Sequence, residues 1–302
     1  MLAGDCTVRV RFHLPPAALQ PYFTTFYVLE MDVPGGGTVT DWLHPEWANL
    51  RLFQGGLPDS DLGGRDHVSG VPATFTGPSS RAVRFTIGST RMWGIGLLPL
   101  GWARFAGLPA SEMADRLLNP LPAPALAPFI PLIQSVFRDG EADEAAELAR
   151  IVAYFTARDV GEVPDRARIQ AVHAALLEPD VGSVAEMAEL ARLPAHTVER
   201  ICSRHFGFTP RLLLRRQRFM RSLSQYMLDP SLKWIGAIDG HYHDQAQFVR
   251  DFHRFMGMSP RAYAAQPHPV LAAVMQARQA AAGAAVQALH NPLKAGRSSA
   301  AV

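Results

Sequence analysis

Hydrophobic positions recur every second residue through much of the first hundred residues, and at helical spacing beyond about residue 110. TVRVRFHL at 7–14 and RAVRFTI at 81–87 alternate apolar with polar, which predicts half-buried strands. YFTTFYVLEMDV at 22–33 is apolar enough for a core strand, and the glycines at 35–37 end it. NLRLFQGG at 49–56 predicts another strand running into a turn, and 94–101 a short apolar strand or bend. DLGGRDH and TGPSSR carry loop signals. From Ala110 the period changes. SEMADRLL predicts a helix capped by Ser111. Helices follow over 130–137, 141–158 and 166–177, the second with Ala145, Leu148, Ile151, Val152 and Phe155 on one face. The proline-rich stretch 119–131 excludes a long helix. Beyond Pro269 the chain is mostly Ala, Gln and Val, helical on propensity but with little to pack, and its last dozen residues are expected to be disordered.

One pattern occurs twice, fifty positions apart. Arg200, Arg204, Gly207, Pro210 and Arg211 fall on Arg250, Arg254, Gly257, Pro260 and Arg261, and Thr209 falls on Ser259. Each copy predicts a helix with two arginines one turn apart, a glycine suited to a left-handed cap, and a Ser/Thr-Pro step that starts a new helix. In the first copy Ser183 and Glu186 form a capping-box pattern ahead of a helix over 184–191, and a second helix runs over 195–205. The second copy reads as helices over 234–239 and 244–256, with Phe248, Phe252 and Phe255 facing inward. A long basic and apolar helix from Arg211 to Leu228 joins the two.

The fold class is therefore α+β with two domains. Residues 1–118 form a mainly β unit with a few helices, expected to be sensory or regulatory. Residues 119–164 form a linker and helical segment, with 130–158 suited to a homodimer contact. Residues 165–265 form an all-α domain of two helix-turn-helix units, about 183–206 and 233–256, joined by the long helix. Residues 266–302 form an Ala-rich, partly disordered tail.

Charge sharpens this picture. The chain of 302 residues is near neutral overall, but residues 1–163 carry 12 Arg and 17 acids, while 192–221 carry eight Arg and one acid, Glu199. Such basic density beside a duplicated helix-turn-helix pattern points to nucleic acid. The outward face of each second helix supplies the base-reading candidates His196, Thr197, Glu199 and Arg200, then His243, Gln245, Gln247 and Arg250. Arg takes guanine and Gln takes adenine bidentately, each contact discriminating by roughly 1–3 kcal/mol. Phosphate contacts are expected from Arg192, Arg204, Arg211, Arg215, Arg216, Arg218, Arg254 and Arg261, with a salt bridge the alternative for Arg204 and Arg254. No apolar run reaches membrane-spanning length, and the N-terminus lacks a secretory core, so no membrane association and a cytoplasmic location are expected. Cys6 and Cys202 belong to no CxxC.

Residues 166–265 resemble the DNA-binding domain of the AraC/XylS family of transcription regulators. The motifs that carry the resemblance are GHYHDQAQFVRDFHRFMGMSPRAY at 240–263 and LPAHTVERICSRHFGFTPRLLLRRQR at 193–218. The resemblance implies two units entering successive major grooves of double-stranded promoter DNA, with His196, Glu199 and Arg200 reading bases in one and His243, Gln245 and Arg250 in the other. It also admits RNA polymerase as a partner. Two departures stand out. Arg192 and His241 occupy the turn positions where the family has glycine, with Gly240 one place early, and Gly236 replaces a branched apolar residue. One unit is thus expected to hold DNA more loosely, and the second turn to shift onto Gly240.

Residues 20–118 resemble, less specifically, the β-rich sensory domains of some family members, through LHPEWANLRLF, FTGPSSRAVRF and GIGLLPLGWARFAGLPASEMADRL. That implies an unknown small-molecule effector. Phe26, Trp42, Trp47 and Trp93 are the candidate pocket residues, with plain core packing as the alternative. His13, His44 and His67 lie in this half without the HxH spacing of a cupin metal site, and no GxSxG or P-loop occurs. No cofactor, metal or enzymatic activity is expected. The competing reading is an enzyme or carrier in the N-terminal half that the C-terminal domain only localises.

Overall fold

The computed structural model describes residues 6–158 and 161–292. Its N-terminal part consists of two antiparallel sheets. The larger runs in the order β1 (Thr7–His13), β2 (Phe23–Asp32), β9 (Thr90–Leu97), β4 (Ala48–Gly55), β7 (Ala73–Thr76) and β10 (Leu117–Leu118). The smaller runs β3 (Val39–Leu43), β8 (Val83–Ile87), β5 (Asp59–Leu62) and β6 (Asp66–Ser69).

Strand parity explains the core. Successive side chains on a strand point to opposite faces. On β2, Phe26 and Val28 join one apolar cluster with Leu50, Leu52, Trp93 and Ile95, and helices cover that face. Tyr27, Leu29 and Met31 join Phe53, Phe85, Ile87 and Met92 on the other face, opposite the smaller sheet. Burial on both sides is why β2 reads as an almost unbroken apolar run. Gly94 has a steric reason, since a Cβ there would sit 2.0 Å from the Tyr27 ring.

Three local expectations need correction. The segment 94–101 is split, with β9 ending at Leu97 and Pro99 opening helix α1 (Pro99–Phe105) at a position where proline costs no hydrogen bond. SEMADRLL makes only one 3-10 turn, Ala110–Glu112, before β10. Asp115 stops it by adopting a left-handed φ of 53° and accepting hydrogen bonds from the backbone and hydroxyl of Ser80. DLGGRDH is not a plain loop but the β5–β6 hairpin, turning on Gly63 and Gly64 at positive φ.

Helices α2 (Ile130–Ser135) and α3 (Glu144–Ala157) follow, Asp143 capping the latter. Phe155 packs 4.5 Å from Phe23, and the buried Glu147 accepts hydrogen bonds from Arg91 and the indole of Trp93. Ile151 and Phe155 of α3 are thus buried against the sheet, while Leu148 and Val152 stay half-buried and Ala145 exposed.

The helical domain comprises α4 (Arg166–Leu177), α5 (Val184–Ala191), α6 (Ala195–Ile201), α7 (Pro210–Leu228), α8 (Lys233–Ala237), α9 (Gln245–Met256) and α10 (Pro260–Ala264). The first unit shares one continuous core with the larger sheet, Trp47 lying in the same cluster as Val198, Phe206 and Leu213. The second unit has a separate core around Phe219, Phe248, Phe252, Phe255 and Tyr263.

The Ala-rich segment is the largest correction. Pro269–Ala282 forms α11, which crosses β1, and Val270, Leu271, Met275 and Arg278 on it are buried. Asp41 on β3 accepts hydrogen bonds from the backbone of Val270 and Leu271, holding a carboxylate against the helix N-terminus. Small residues let the helix lie close to the sheet, so low apolar content was no bar to packing. Residues 293–302 of the expected disordered tail lie outside the described residues.

Candidate nucleic-acid interface

Both copies of the repeat fold in the same local way. The side chain of Ser183 accepts from Glu186 N while Glu186 accepts from Ser183 N, completing the capping box that starts α5. The helices before the two exits end at Gly207 (φ 84°) and Gly257 (φ 73°). Thr209 then caps α7 and Ser259 caps α10 through their hydroxyls, each with proline as the next residue. α6 gives way to one wider turn over Cys202–Phe206 before that glycine.

The two turns differ. Arg192 does adopt the left-handed conformation, at φ 54°, carrying a strain of about 1 kcal/mol that glycine would avoid. The second turn contains no left-handed residue, so the expected shift onto Gly240 does not occur. Asp239 holds it instead. Its backbone N–H donates to Ser222 Oγ on α7, and its carboxylate accepts from His241 N and from Arg221. A side-chain-to-backbone bond two residues on replaces the glycine turn.

Along the recognition helices α6 and α9, His196, Glu199, Arg200, His243, Gln245 and Arg250 are exposed, with Arg200 in the last turn of α6. Thr197 and Gln247 are half-buried, and Gln247 accepts from His243 N. Arg200 pairs with Asp165 at 3.1 Å, a contact that holds that carboxyl well below its ordinary range. Exposed pairs contribute little, about 0–1 kcal/mol, so a phosphate or base can displace it.

The phosphate candidates separate into two groups. Arg192, Arg204, Arg211, Arg254 and Arg261 are exposed and form no ion pair among the described residues. Arg215 and Arg218 instead converge on Asp251, a fully buried carboxylate that also accepts from Tyr242 Oη at 3.0 Å. Arg218 stacks on the Tyr242 ring at 4.3 Å. Arg216 is wholly buried and is no phosphate contact. It lies 4.0 Å over the Trp47 ring and donates to the carbonyls of Ser79 (2.9 Å) and Glu46 (3.3 Å). Burial pushes its guanidinium down to about 9. The sequence signalled a basic stripe but not its counter-charges, since Asp251 and Asp239 lie well outside the basic run.

Arg216 marks where the β domain grips the helical one. Nearby, Ala82 N donates to Phe255 O at 2.7 Å, in the last turn of α9. At the equivalent end of the first unit, a Cβ on Gly207 would lie 3.2 Å from Ala110 O and from Pro78. The loop at 77–82 and the turn at 110–114 therefore touch the C-terminal ends of both recognition segments. The reading residues themselves stay exposed.

The pocket candidates do not line the cavity between the sheets. Phe26, Trp47 and Trp93 lie in the helix-covered core, and the half-buried Trp42 packs edge-on against His268. A cavity of about 100 Å³ opens on the opposite side of the larger sheet, lined by Tyr27, Leu29, Arg51, Phe85 and Met92, with α11 along one wall.

Residues 187–266 match the family model described as a helix-turn-helix domain. Among solved structures the chain is similar to ToxT from Vibrio cholerae O395, at 11% identity and a TM-score of 0.40, covering 86% of this chain and 96% of that one. It is also similar to the AraC-like transcriptional activator CuxR, at 13% identity and a TM-score of 0.28, covering 71% and 86%. No curated protein matches. With the repeat geometry above, the matched segment defines a DNA-binding helix-turn-helix domain. Its two units share one connecting helix, the arrangement of AraC-type helix-turn-helix domains.

Proposed function

We propose that this protein regulates transcription by binding a specific promoter site through both units, with a small molecule in the intersheet cavity setting its hold on DNA. The observation that carries this reading is the division of the recognition segments: reading residues exposed along them, and their ends at Gly207 and Phe255 in contact with the β domain. A ligand that alters the sheets then acts on both units through the loop at 77–82. In this reading Arg200 and Arg250 lead base recognition, and Arg192, Arg204, Arg211, Arg254 and Arg261 meet phosphates.

Gel retardation of the DNA upstream of the gene tests it. Arg250→Ala is expected to weaken the preferred site by about 1–3 kcal/mol and to relax preference at one half-site. Arg254→Ala should weaken all sequences alike and reduce the salt slope by about one. Arg216→Met should leave that slope unchanged. Unchanged selectivity in Arg250→Ala, or a flattened slope in Arg216→Met, would overturn these assignments. Following the probe compounds for turnover separates regulation from the enzyme reading of the N-terminal half.

A further inference from the structure

The intersheet cavity combines an apolar wall with a buried cation that has no ion pair among the described residues. Val270, Leu271, Val274, Met275 and Arg278 of α11 present one helical face to it. Arg278 is only 4% exposed, and its Nη1 finds no hydrogen-bond partner among the described residues. Its guanidinium lies 4.9 Å over the Phe12 ring, and burial pushes it down to about 10. The other arginine at the cavity, Arg51, is already neutralised, since Glu46 accepts from its Nη2 with both oxygens at 2.7 and 2.8 Å. Glu46 thus hydrogen-bonds to Arg51; its charge and Tyr27 act on Arg278 only at longer range, and Arg278 forms no ion pair among the described residues. Buried charges are ordinarily paired, because an isolated cation in an apolar site is costly.

We propose that Arg278 is the anchor of a ligand site and that the ligand is a small organic carboxylate, with an apolar body about the size of one aromatic ring or a short alkyl chain. The proposal deepens the small-molecule reading above and rests on it. Size follows from the cavity, about 100 Å³, which is of the order of an apolar cavity that takes up benzene. Charge follows from Arg278, and the planar fork of a guanidinium suits a carboxylate. The site also has a route to the DNA-binding domain. His44 lines the cavity and its Nε2 meets Tyr263 Oη at 2.7 Å, inside the core of the second unit. Tyr263 is followed within six residues by the start of α11.

The test titrates the full chain with two acid–alcohol pairs of matched shape, benzoate with benzyl alcohol and hexanoate with hexanol. The wild type is expected to bind an acid more tightly than its alcohol by at least about tenfold, as a charge-assisted hydrogen bond provides. Arg278→Lys should keep part of that preference and Arg278→Met should abolish it, with alcohol affinity unchanged in both. Unliganded Arg278→Met should also melt at a higher temperature, because a buried unpaired charge is gone. Equal affinity for acid and alcohol in the wild type, no binding of either, or the same acid preference in all three chains overturns the proposal. Retardation of DNA by the unliganded wild type reads the regulator assignment separately, so the two can fail independently.

Discussion

Lowering the pH from 7 to 5 is expected to remove about 6 kcal/mol of folding stability, from three buried histidines alone. His44, His173 and His290 are lowered by burial from 6.5 to about 3, 4 and 3. Nearby cations add to the effect, Arg216 at His173 and Arg278 at His290. Each group stays neutral in the folded protein while the unfolded chain takes up a proton. Stability is therefore intact above pH 6.5 and falls as pH drops below it, by about 1.4 kcal/mol per unit for each histidine, until the folded value is reached. At pH 5 that is roughly 2 kcal/mol each, against a total stability of about 5–15 kcal/mol for a typical domain. His205 is lowered too, and adds in the same direction. Denaturant titrations at pH 7 and 5 measure the loss. His173 provides the control, because its ring sits edge-on to Trp47 and its Nε2 lacks a hydrogen-bond partner among the described residues. His173→Phe should reduce the slope by one proton while keeping the aromatic packing. A wild-type stability that is flat over this range would sink the argument.

The features legible in the sequence are those whose causes lie within one turn of chain. Ser183 with Glu186, Gly207 and Gly257, and Thr209 and Ser259 with their prolines all cap as their spacing predicts, because each acceptor reaches an amide a few residues away. Arg192 in the left-handed region followed instead from its standing where the resembled family has glycine. What could not be read depends on distant partners. Arg216 bonds to carbonyls 137 and 170 positions away, and nothing in RLLLRRQR distinguishes it from Arg215. On α7 the two neighbours point about 100° apart, so one reaches Asp251 and the other enters the β domain. The lining of the cavity was not legible for a related reason. Aromatic content nominated Phe26 and Trp93, but parity decides which face a strand residue takes, and that needs the sheet pairing. α11 shows the limit of composition, since Ala-rich sequence gave the helix but not the carboxylate of Asp41 that fastens it.

Asp251→Ala is expected to destabilise the second unit by about 3–5 kcal/mol, the cost of removing one partner from a buried charge cluster. The carboxylate is fully buried on the inner side of α9 and answers Arg215, Arg218 and Tyr242 together. Tyr242 is raised above its ordinary range by burial and by the adjacent carboxylate, so its hydroxyl stays protonated and donates. Without Asp251, the Arg215 side chain, already 35% exposed, can turn to water. Arg218 is 17% exposed and stacked on Tyr242, so it stays in place with less compensation. Two effects then oppose each other at DNA. The lost acid leaves the domain one charge more basic, which favours non-specific binding by about one phosphate contact. The lost cluster loosens α7 against α9, whose N-terminal end carries His243, Gln245 and Arg250. The second effect is larger by several kcal/mol, so sequence preference should collapse while non-specific affinity at low salt is kept or rises. Asp251→Asn, which retains an acceptor for Tyr242, should fall between the two. Hydrogen exchange over 245–256 and retardation of specific and scrambled DNA measure both sides. Unchanged exchange in Asp251→Ala, or equal losses on the two DNAs, would show that the cluster does not position the second recognition helix.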